Sequence, residues 1–202
     1  GEGFTTTELF NGCVCCTLAA SLMDSLCQLE KDVNPDWVIL ESTGLARPHD
    51  IAESVKRYYD ENMNTTVCVT VDTSRWNKIK RIAGELLFEQ IENADYVFIN
   101  KTDLVDRDTV DSVKADITEL TKGKVYEISA VTDPEGTEKV CAEIVAEISA
   151  KGEFTESFKI LAFGDQCKKL SFGKRSKRLS FGKQSKVLIS GKLQKTYENR
   201  AE

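Results

Sequence analysis

Three of the seven cysteines in this 202-residue chain lie within four positions, at Cys13, Cys15 and Cys16. In an extended stretch, side chains two residues apart point the same way, so Cys13 and Cys15 can share one ligand, and Cys16 can turn in where a helix begins. A helix N-terminus lowers the pKa of a nearby thiol and favours the thiolate. Three thiolates suit Zn²⁺ or another thiophilic ion. The motif therefore predicts a metal site, with a redox pair or plain packing as the alternatives.

The remaining metal-ligand candidates are scattered along the chain. A structural zinc site normally has four protein ligands, so three cysteines leave one position open. His49, the single histidine, is a candidate for that position, but its place at a predicted helix start favours a surface residue. Cys27, Cys68 and Cys141 fall within predicted helices or strands, and we expect them in the core.

A second polar group, Asn100-Lys-Thr-Asp103, directly follows a predicted strand. The Asp103 carboxylate can accept hydrogen bonds from N1–H and the exocyclic amine of guanine, whereas adenine would leave it unpaired. The stem of Lys101 can lie on the base, and Asn100 can join neighbouring loops. Ser129 and Ala130, which follow the next strand, can supply a backbone N–H to guanine O6. The alternative is an ordinary strand-end turn followed by a helix cap.

A third polar group, Glu41-Ser-Thr-Gly44, also ends a predicted strand. An acidic side chain at this place can hold Mg²⁺, usually through water. Gly44 would let the backbone approach a γ-phosphate and act as a switch. The alternative is an ordinary turn between a strand and a helix.

The elements that must position these groups alternate between strand-like and helix-like apolar patterns. The predicted strands are 36–42, 66–72, 95–100 and 124–129, and the predicted helices are 17–31, 48–62, 74–93, 106–121 and 134–150. This alternation predicts an α/β fold with a mainly parallel sheet flanked by helices. Ligands of such sheets bind at the carboxyl ends of the strands, where the polar groups fall.

The C-terminal part of the chain differs in charge and pattern. Residues 159–202 hold 12 Lys/Arg and 3 Asp/Glu, whereas residues 1–158 hold 15 and 30. Four nine-residue units run from 159 to 194 and share the pattern Lys-x-Leu-Ser/Ala-Phe-Gly, most loosely in the last. They predict either disorder or a small β-element. We expect one domain over 1–152 and a basic repeat tail over 153–202.

Composition limits the cellular partners and the compartment. An acidic body argues against general nucleic-acid binding, and a solvated tail is favoured over one that contacts RNA, DNA or lipid. The sequence has no apolar run long enough for a membrane span and no signal peptide, so we expect a cytoplasmic protein with reduced thiols.

Taken together, the motifs at Asn11–Cys16, Glu41–Pro48 and Asn100–Val105 resemble those of the CobW-type metal-chaperone GTPases, relatives of HypB and UreG among P-loop proteins. The resemblance covers about residues 8–150. It implies a GTP hydrolase that inserts or carries zinc or cobalt for a client metalloprotein or a cobalamin-pathway enzyme, and a homodimer is possible. By position it implies Cys13, Cys15 and Cys16 as metal ligands, Glu41 and Gly44 facing Mg²⁺ and the γ-phosphate, and Asn100, Lys101 and Asp103 facing guanine.

One family motif is missing from the 202 residues. None of the four Gly-Lys pairs fits the phosphate loop G-x-x-x-x-G-K-[ST]. We expect this loop, the strand before it and the first Mg²⁺-binding switch to lie upstream of Gly1, and this chain alone to be inactive. The alternatives are a non-catalytic metal-binding or partner-binding remnant of the fold and a structural zinc protein.

Overall fold

The computed structural model of the protein describes residues 4–8, 16–61, 63–151, 159–164 and 186–190. The helices are α1 (Cys16–Asp32), α2 (Pro48–Tyr58), α3 (Trp76–Glu92), α4 (Arg107–Leu120) and α5 (Pro134–Lys151). The strands are β1 (Phe4–Glu8), β2 (Trp37–Ser42), β3 (Thr65–Asp72), β4 (Tyr96–Asn100), β5 (Lys124–Glu127), β6 (Lys159–Gly164) and β7 (Lys186–Ser190). Within these residues, no helix combines the length and the apolar character needed to cross a membrane.

All seven strands form one sheet, in the order β1-β7-β2-β6-β3-β4-β5. The pairs from β2 to β5 are parallel, whereas β7 pairs antiparallel with both β1 and β2. The prediction of an α/β fold with a mainly parallel sheet flanked by helices is confirmed. β1 is not predicted by the apolar pattern, because only Phe4 among its five residues is apolar.

Two strands come from the nine-residue units of the tail. β6 belongs to the first unit and lies between β2 and β3, with Ile160 opposite Val38 and Thr65. β7 belongs to the last unit and lies between β1 and β2. The second and third units lie outside the described residues. The predicted domain boundary at residue 152 stays a prediction.

The central strands bury both of their faces. Val69 and Ile99 pack in one cluster with residues of α3 and α4. Cys68 and Phe98, their immediate neighbours along the strands, pack on the other face with Ile144 of α5. Because successive side chains of a strand point to opposite faces, burial on both sides explains the uninterrupted apolar runs of the sequence.

The cysteines of the helices and strands differ in burial. Cys68 and Cys141 are buried as predicted, and burial raises the pKa of both thiols, that of Cys141 to about 11. The prediction for Cys27 is wrong, because this residue is exposed. α1 packs through Leu26 and Leu29, and a residue one position after Leu26 lies about 100° further round the helix.

α3 is not the single regular helix that the sequence predicts. A 3-10 turn over Thr73–Arg75 precedes it, and Ala83 interrupts it with φ −140° and ψ 36°. Gly84, which follows, has low helix propensity and offers little resistance to such a break. Of the predicted apolar positions of α3, Ile82 is 71% exposed and Ile91 is fully buried, and residues nine apart lie on opposite sides of a helix.

α4 is joined to β5 by ion pairs on Glu127, the last residue of that strand. Arg107 Nη1 lies 2.6 Å and Lys114 Nζ 2.7 Å from its carboxylate oxygens. Hydrogen bonds from Arg107 and then Lys114 lower the pKa of Glu127 from 4.5 to about 2. Asp106 caps the same helix by accepting a hydrogen bond from Thr109 N at 2.8 Å.

Replacement of Glu127 by Gln is expected to lower the free energy of unfolding by about 1–3 kcal/mol at pH 7. A lowered pKa gives stability that is complete above the unfolded value of about 4.5 and is lost as the pH falls through about 2. The difference between wild type and Glu127→Gln, measured by urea denaturation, should therefore shrink as the pH falls from 5 towards 2.

The matched control is Glu53→Gln, because Glu53 is half exposed and its oxygen lies 3.9 Å from Lys56 Nζ. We expect no measurable pH-dependent difference for this variant. A constant difference between wild type and Glu127→Gln across that pH range would contradict the assignment.

Candidate functional site

The polar strand ends predicted from the sequence lie along one edge of the sheet. In the parallel pairing of β3 with β4, Asp72 lies opposite Asn100. Ser129 and Ala130 follow β5, the next strand in the sheet. The end of β2, with Glu41, lies on the other side of β6 and β3. At about 4.8 Å per strand, β2 and β4 are about 14 Å apart across the sheet. The register also places Glu41 level with Tyr96, four residues before Asn100 along the strands.

The side chain of Asn100 joins two loops at this edge. Its Oδ1 atom accepts a hydrogen bond from Lys101 N at 2.7 Å and one from Ala130 N at 3.3 Å. Asn100 is 3% exposed, so both hydrogen bonds are shielded from water. The N–H of Ala130 is thus directed at Asn100, and a backbone N–H from Ser129 or Ala130 to guanine O6 stays a prediction.

Asp103 and Ser129 are brought together by the structure. The Ser129 hydroxyl donates to Asp103 Oδ1, and it also lies 2.6 Å from Thr132 Oγ1. Ser129 is buried, whereas Asp103 is exposed at the surface of the site. Thr102 donates to Ile128 O at 3.2 Å, which adds a second link between the same two segments. The carboxylate of Asp103 is therefore held in place and remains accessible to a ligand.

Lys101 contacts the end of β3 rather than its own strand. Its ammonium forms an ion pair with Asp72, whose side chain is fully buried. Ser74 Oγ donates to the other carboxylate oxygen at 2.6 Å, and Arg75 Nε lies 3.6 Å away. Burial works against ionisation, but the hydrogen bonds from Lys101 and Ser74 and the nearby positive charges outweigh it and lower the pKa of Asp72.

Glu41 and Gly44 lie at the other end of the edge. Glu41 is the penultimate residue of β2 and is 7% exposed, and Gly44 lies in the loop that leads to α2. In the sheet, Glu41 lies opposite Phe163 of β6 and Lys186 of β7. Glu41 and Gly44 are three residues apart in the chain. In the sheet, β6 and β3 lie between β2, which carries Glu41, and β4, which precedes Asp103.

The loop that carries Gly44 is held by a residue that the sequence motifs do not include, Gln90 of α3. Its Nε2 atom donates to Ala46 O at 2.6 Å and to Gly44 O at 3.2 Å. Gln90 is 5% exposed, and the ion pair of Arg47 with Glu89, at 3.0 Å, lies beside it. The sequence signal for this contact is a glutamine next to Ile91, on the buried side of the helix, because a buried amide requires hydrogen-bond partners.

The cysteine motif cannot be described as a site. Cys13 and Cys15 lie outside the described residues, and Cys16 is the first residue of α1. No group of three or more His, Cys, Asp or Glu side chains that could hold a metal ion occurs in the part of the chain that the structure describes. His49 is the second residue of α2 and is half-buried. The metal ligands therefore stay predictions.

Replacement of Gln90 by Met should loosen the loop over residues 43–47 without emptying the space that the side chain fills. The loss of both hydrogen bonds is worth about 1–2 kcal/mol locally. We therefore expect amide exchange in this loop, measured by mass spectrometry, to accelerate about tenfold or more. Gln28→Met on α1 is the matched control, because Gln28 is exposed and donates only to Asp32 at 3.3 Å. Equal exchange in the two variants would show that Gln90 does not hold the loop.

Comparison with known proteins identifies a matching family and several similar proteins. The family model "CobW/HypB/UreG, nucleotide-binding domain" matches residues 1–126, which is more than half of the chain. Zinc chaperone CobW of Sinorhizobium sp is 30% identical over 148 residues, which cover 61% of this chain and 42% of that protein.

Two further relatives are each named zinc-regulated GTPase metalloprotein activator 1. The Dictyostelium discoideum protein is 28% identical over 133 residues, 53% of this chain and 28% of its own length. The Schizosaccharomyces pombe protein is 27% identical over 140 residues, 62% of this chain and 34% of its own length. The matched region thus spans less than half the length of these relatives, and no solved structure matches the chain. On the match to more than half of its residues, the chain belongs to the CobW/HypB/UreG family.

Proposed function

We propose that this chain is the nucleotide-binding part of a GTP-dependent metal chaperone that carries zinc or cobalt. The observation that carries the proposal is the fixed carboxylate of Asp103, held by Ser129 beside the Asn100 side chain at the end of β4. The names of the relatives, a zinc chaperone and zinc-regulated GTPase metalloprotein activators, support the same activity.

The base specificity follows from the chemistry of Asp103. A carboxylate has about four acceptor positions, so the hydrogen bond from Ser129 leaves capacity for two donors from a base. Guanine presents N1–H and its exocyclic amine together, whereas adenine has no donor at N1. Binding of adenine would leave the carboxylate desolvated and unpaired, which costs about 1–3 kcal/mol or more.

The other end of the sheet edge fits the phosphates. An acidic oxygen donor at the end of a buried strand is the type of ligand that Mg²⁺ prefers, and Glu41 has this position. Mg²⁺ bound there would neutralise charge on the phosphates during hydrolysis. Gly44 has no side chain, so its backbone can come close to a γ-phosphate.

The proposed cargo site is the cluster of Cys13, Cys15 and Cys16. Three thiolates bind Zn²⁺ or Co²⁺ and leave one coordination position open for transfer to a client metalloprotein. The proximity of this cluster to the start of α1 would favour thiolates at neutral pH.

A second candidate function is favoured by the lack of a phosphate-loop motif in the 202 residues. None of the 202 residues forms a G-x-x-x-x-G-K-[ST] loop. A chain that holds the guanine contacts and lacks the phosphate cradle would bind metal or a partner protein without hydrolysing GTP. Sequence upstream of Gly1 separates the two candidates, since a phosphate loop there is required for hydrolysis.

Mg-GTP is expected to protect the intact protein, including any sequence before Gly1, against heat more than Mg-ATP does. At a hundredfold excess over Kd, a ligand adds about 2.7 kcal/mol of stability. Asp103→Ala should remove the preference for GTP, as measured by thermal denaturation with each nucleotide. Asp108→Ala is the control, because this exposed aspartate lies in the first turn of α4, outside the site. Equal protection of the wild-type protein by both nucleotides would refute the guanine site.

The purified protein should bind about one Zn²⁺ per chain at pH 7, in competition with a chelator of known affinity. The triple change of Cys13, Cys15 and Cys16 to Ser should abolish this binding, because a hydroxyl is a poor zinc ligand. Cys27→Ser provides the control, since Cys27 is exposed on α1 and outside the motif. Unchanged stoichiometry in the triple variant would exclude the cluster as the metal site.

A further inference from the structure

We propose that Asp72 is a positioning residue for the nucleotide site, which sets the place of the Lys101 side chain before the base binds. The inference deepens the proposed function and rests on it, since Lys101 belongs to the proposed guanine site. Asp72 is the last residue of β3, and it lies opposite Asn100 in the sheet. It would act on the base through Lys101 rather than by direct contact.

The burial of Asp72 requires a cation. Its side chain has no exposed area, and a buried carboxylate is unfavourable unless it is paired and hydrogen-bonded. Ser74 supplies a hydrogen bond at 2.6 Å, and Arg75 lies further away at 3.6 Å with its side chain 65% exposed. The close charged partner is Lys101, which donates to Oδ2. Asp72 therefore holds the Lys101 ammonium.

The backbone of Lys101 is also set in a conformation that lysine rarely adopts. Its φ of 62° and ψ of 35° lie in the left-handed region, where a non-glycine residue is strained. Among the described residues, the other non-glycine residue with positive φ is Asn34, whose type tolerates this region. The strain at Lys101 is held by tertiary contacts: its N–H donates to Asn100 Oδ1, and Thr73 Oγ1 donates to Asn100 O at 2.7 Å.

The end of β3 and the turn that follows it thus hold both the backbone before Lys101 and the Lys101 ammonium. The Thr73 hydroxyl fixes the backbone at Asn100, and the Asp72 carboxylate fixes the ammonium. The Lys101 side chain as a whole is 31% exposed, so part of it is available to a ligand. A lysine stem normally loses rotamer freedom when a base lies against it. Here that freedom is lost before binding, which favours the bound state.

A double-mutant cycle tests this arrangement, with Asp72→Asn, Lys101→Met and the combined variant made in the intact protein. The dissociation constant for Mg-GTP is measured by calorimetry. We expect each single change to weaken binding about tenfold, and the combined change to weaken it by about the same tenfold. If Asp72 acts through Lys101, it has nothing left to position once the ammonium is absent. Losses that multiply to about a hundredfold, or a loss below twofold for Asp72→Asn, would overturn the inference.

Ser74→Ala provides a milder test should Asp72→Asn fail to fold. It removes one hydrogen bond from Asp72 and should weaken Mg-GTP binding about threefold in the wild type, with no effect in the Lys101→Met background. A threefold effect in both backgrounds would overturn the inference. Glu147→Gln is the control, because Glu147 of α5 pairs with Lys124 at 2.7 Å at the start of β5, the end of that strand remote from the site. The affinity of this variant for Mg-GTP should equal that of wild type.

The Asp103→Ala variant separates the two levels of the proposal in the same assay. If Asp103→Ala does not weaken Mg-GTP binding, the proposed base site fails and the role of Asp72 fails with it. If Asp103→Ala weakens binding while the Asp72 and Lys101 changes multiply, the base site stands and the positioning role alone is overturned. If the losses of affinity in the Asp72 and Lys101 variants do not multiply and Asp103→Ala also weakens binding, both the base site and the positioning role are supported.

Discussion

The parallel pairing of β3 with β4 is the constraint on which the site depends. It places Asp72 opposite Asn100 at the end of two fully buried strands, so a carboxylate and an amide meet where water is scarce. Such groups must find partners inside the protein. Asp72 forms an ion pair with Lys101, and Asn100 accepts hydrogen bonds from the N–H groups of Lys101 and Ala130. The need to satisfy these buried groups shapes the loops that follow both strands.

Ion pairs support the Asn100–Arg107 segment from both sides, and they differ in kind. On the β3 side, Lys101 pairs with the fully buried carboxylate of Asp72. Removal of the lysine ammonium would leave a buried negative charge without its close charged partner. On the β5 side, Arg107 pairs with Glu127, whose side chain is 22% exposed, and water can replace the lost partner. The first pair therefore fixes geometry within the site, and the second adds stability that depends on pH.

The sequence predicted the strand ends well because they obey local rules. A polar residue that ends an apolar strand lies where the strand leaves the sheet, so Glu41 and Asn100 could be placed from the sequence. Gln90 could not, because its partners are carbonyl groups 44 and 46 residues away, and only the docking of α3 brings them near. The left-handed backbone conformation of Lys101 could not be predicted either, because lysine has no intrinsic preference for it.

α3 connects the two halves of the site edge. Its N-terminal end follows the Thr73–Arg75 turn, which carries the hydrogen bond to Asn100, and its C-terminal end holds the Gly44 loop through Gln90. Between them, Ala83 departs from helical φ and ψ, so two helical segments of α3, separated by a kink, each hold one half of the proposed site.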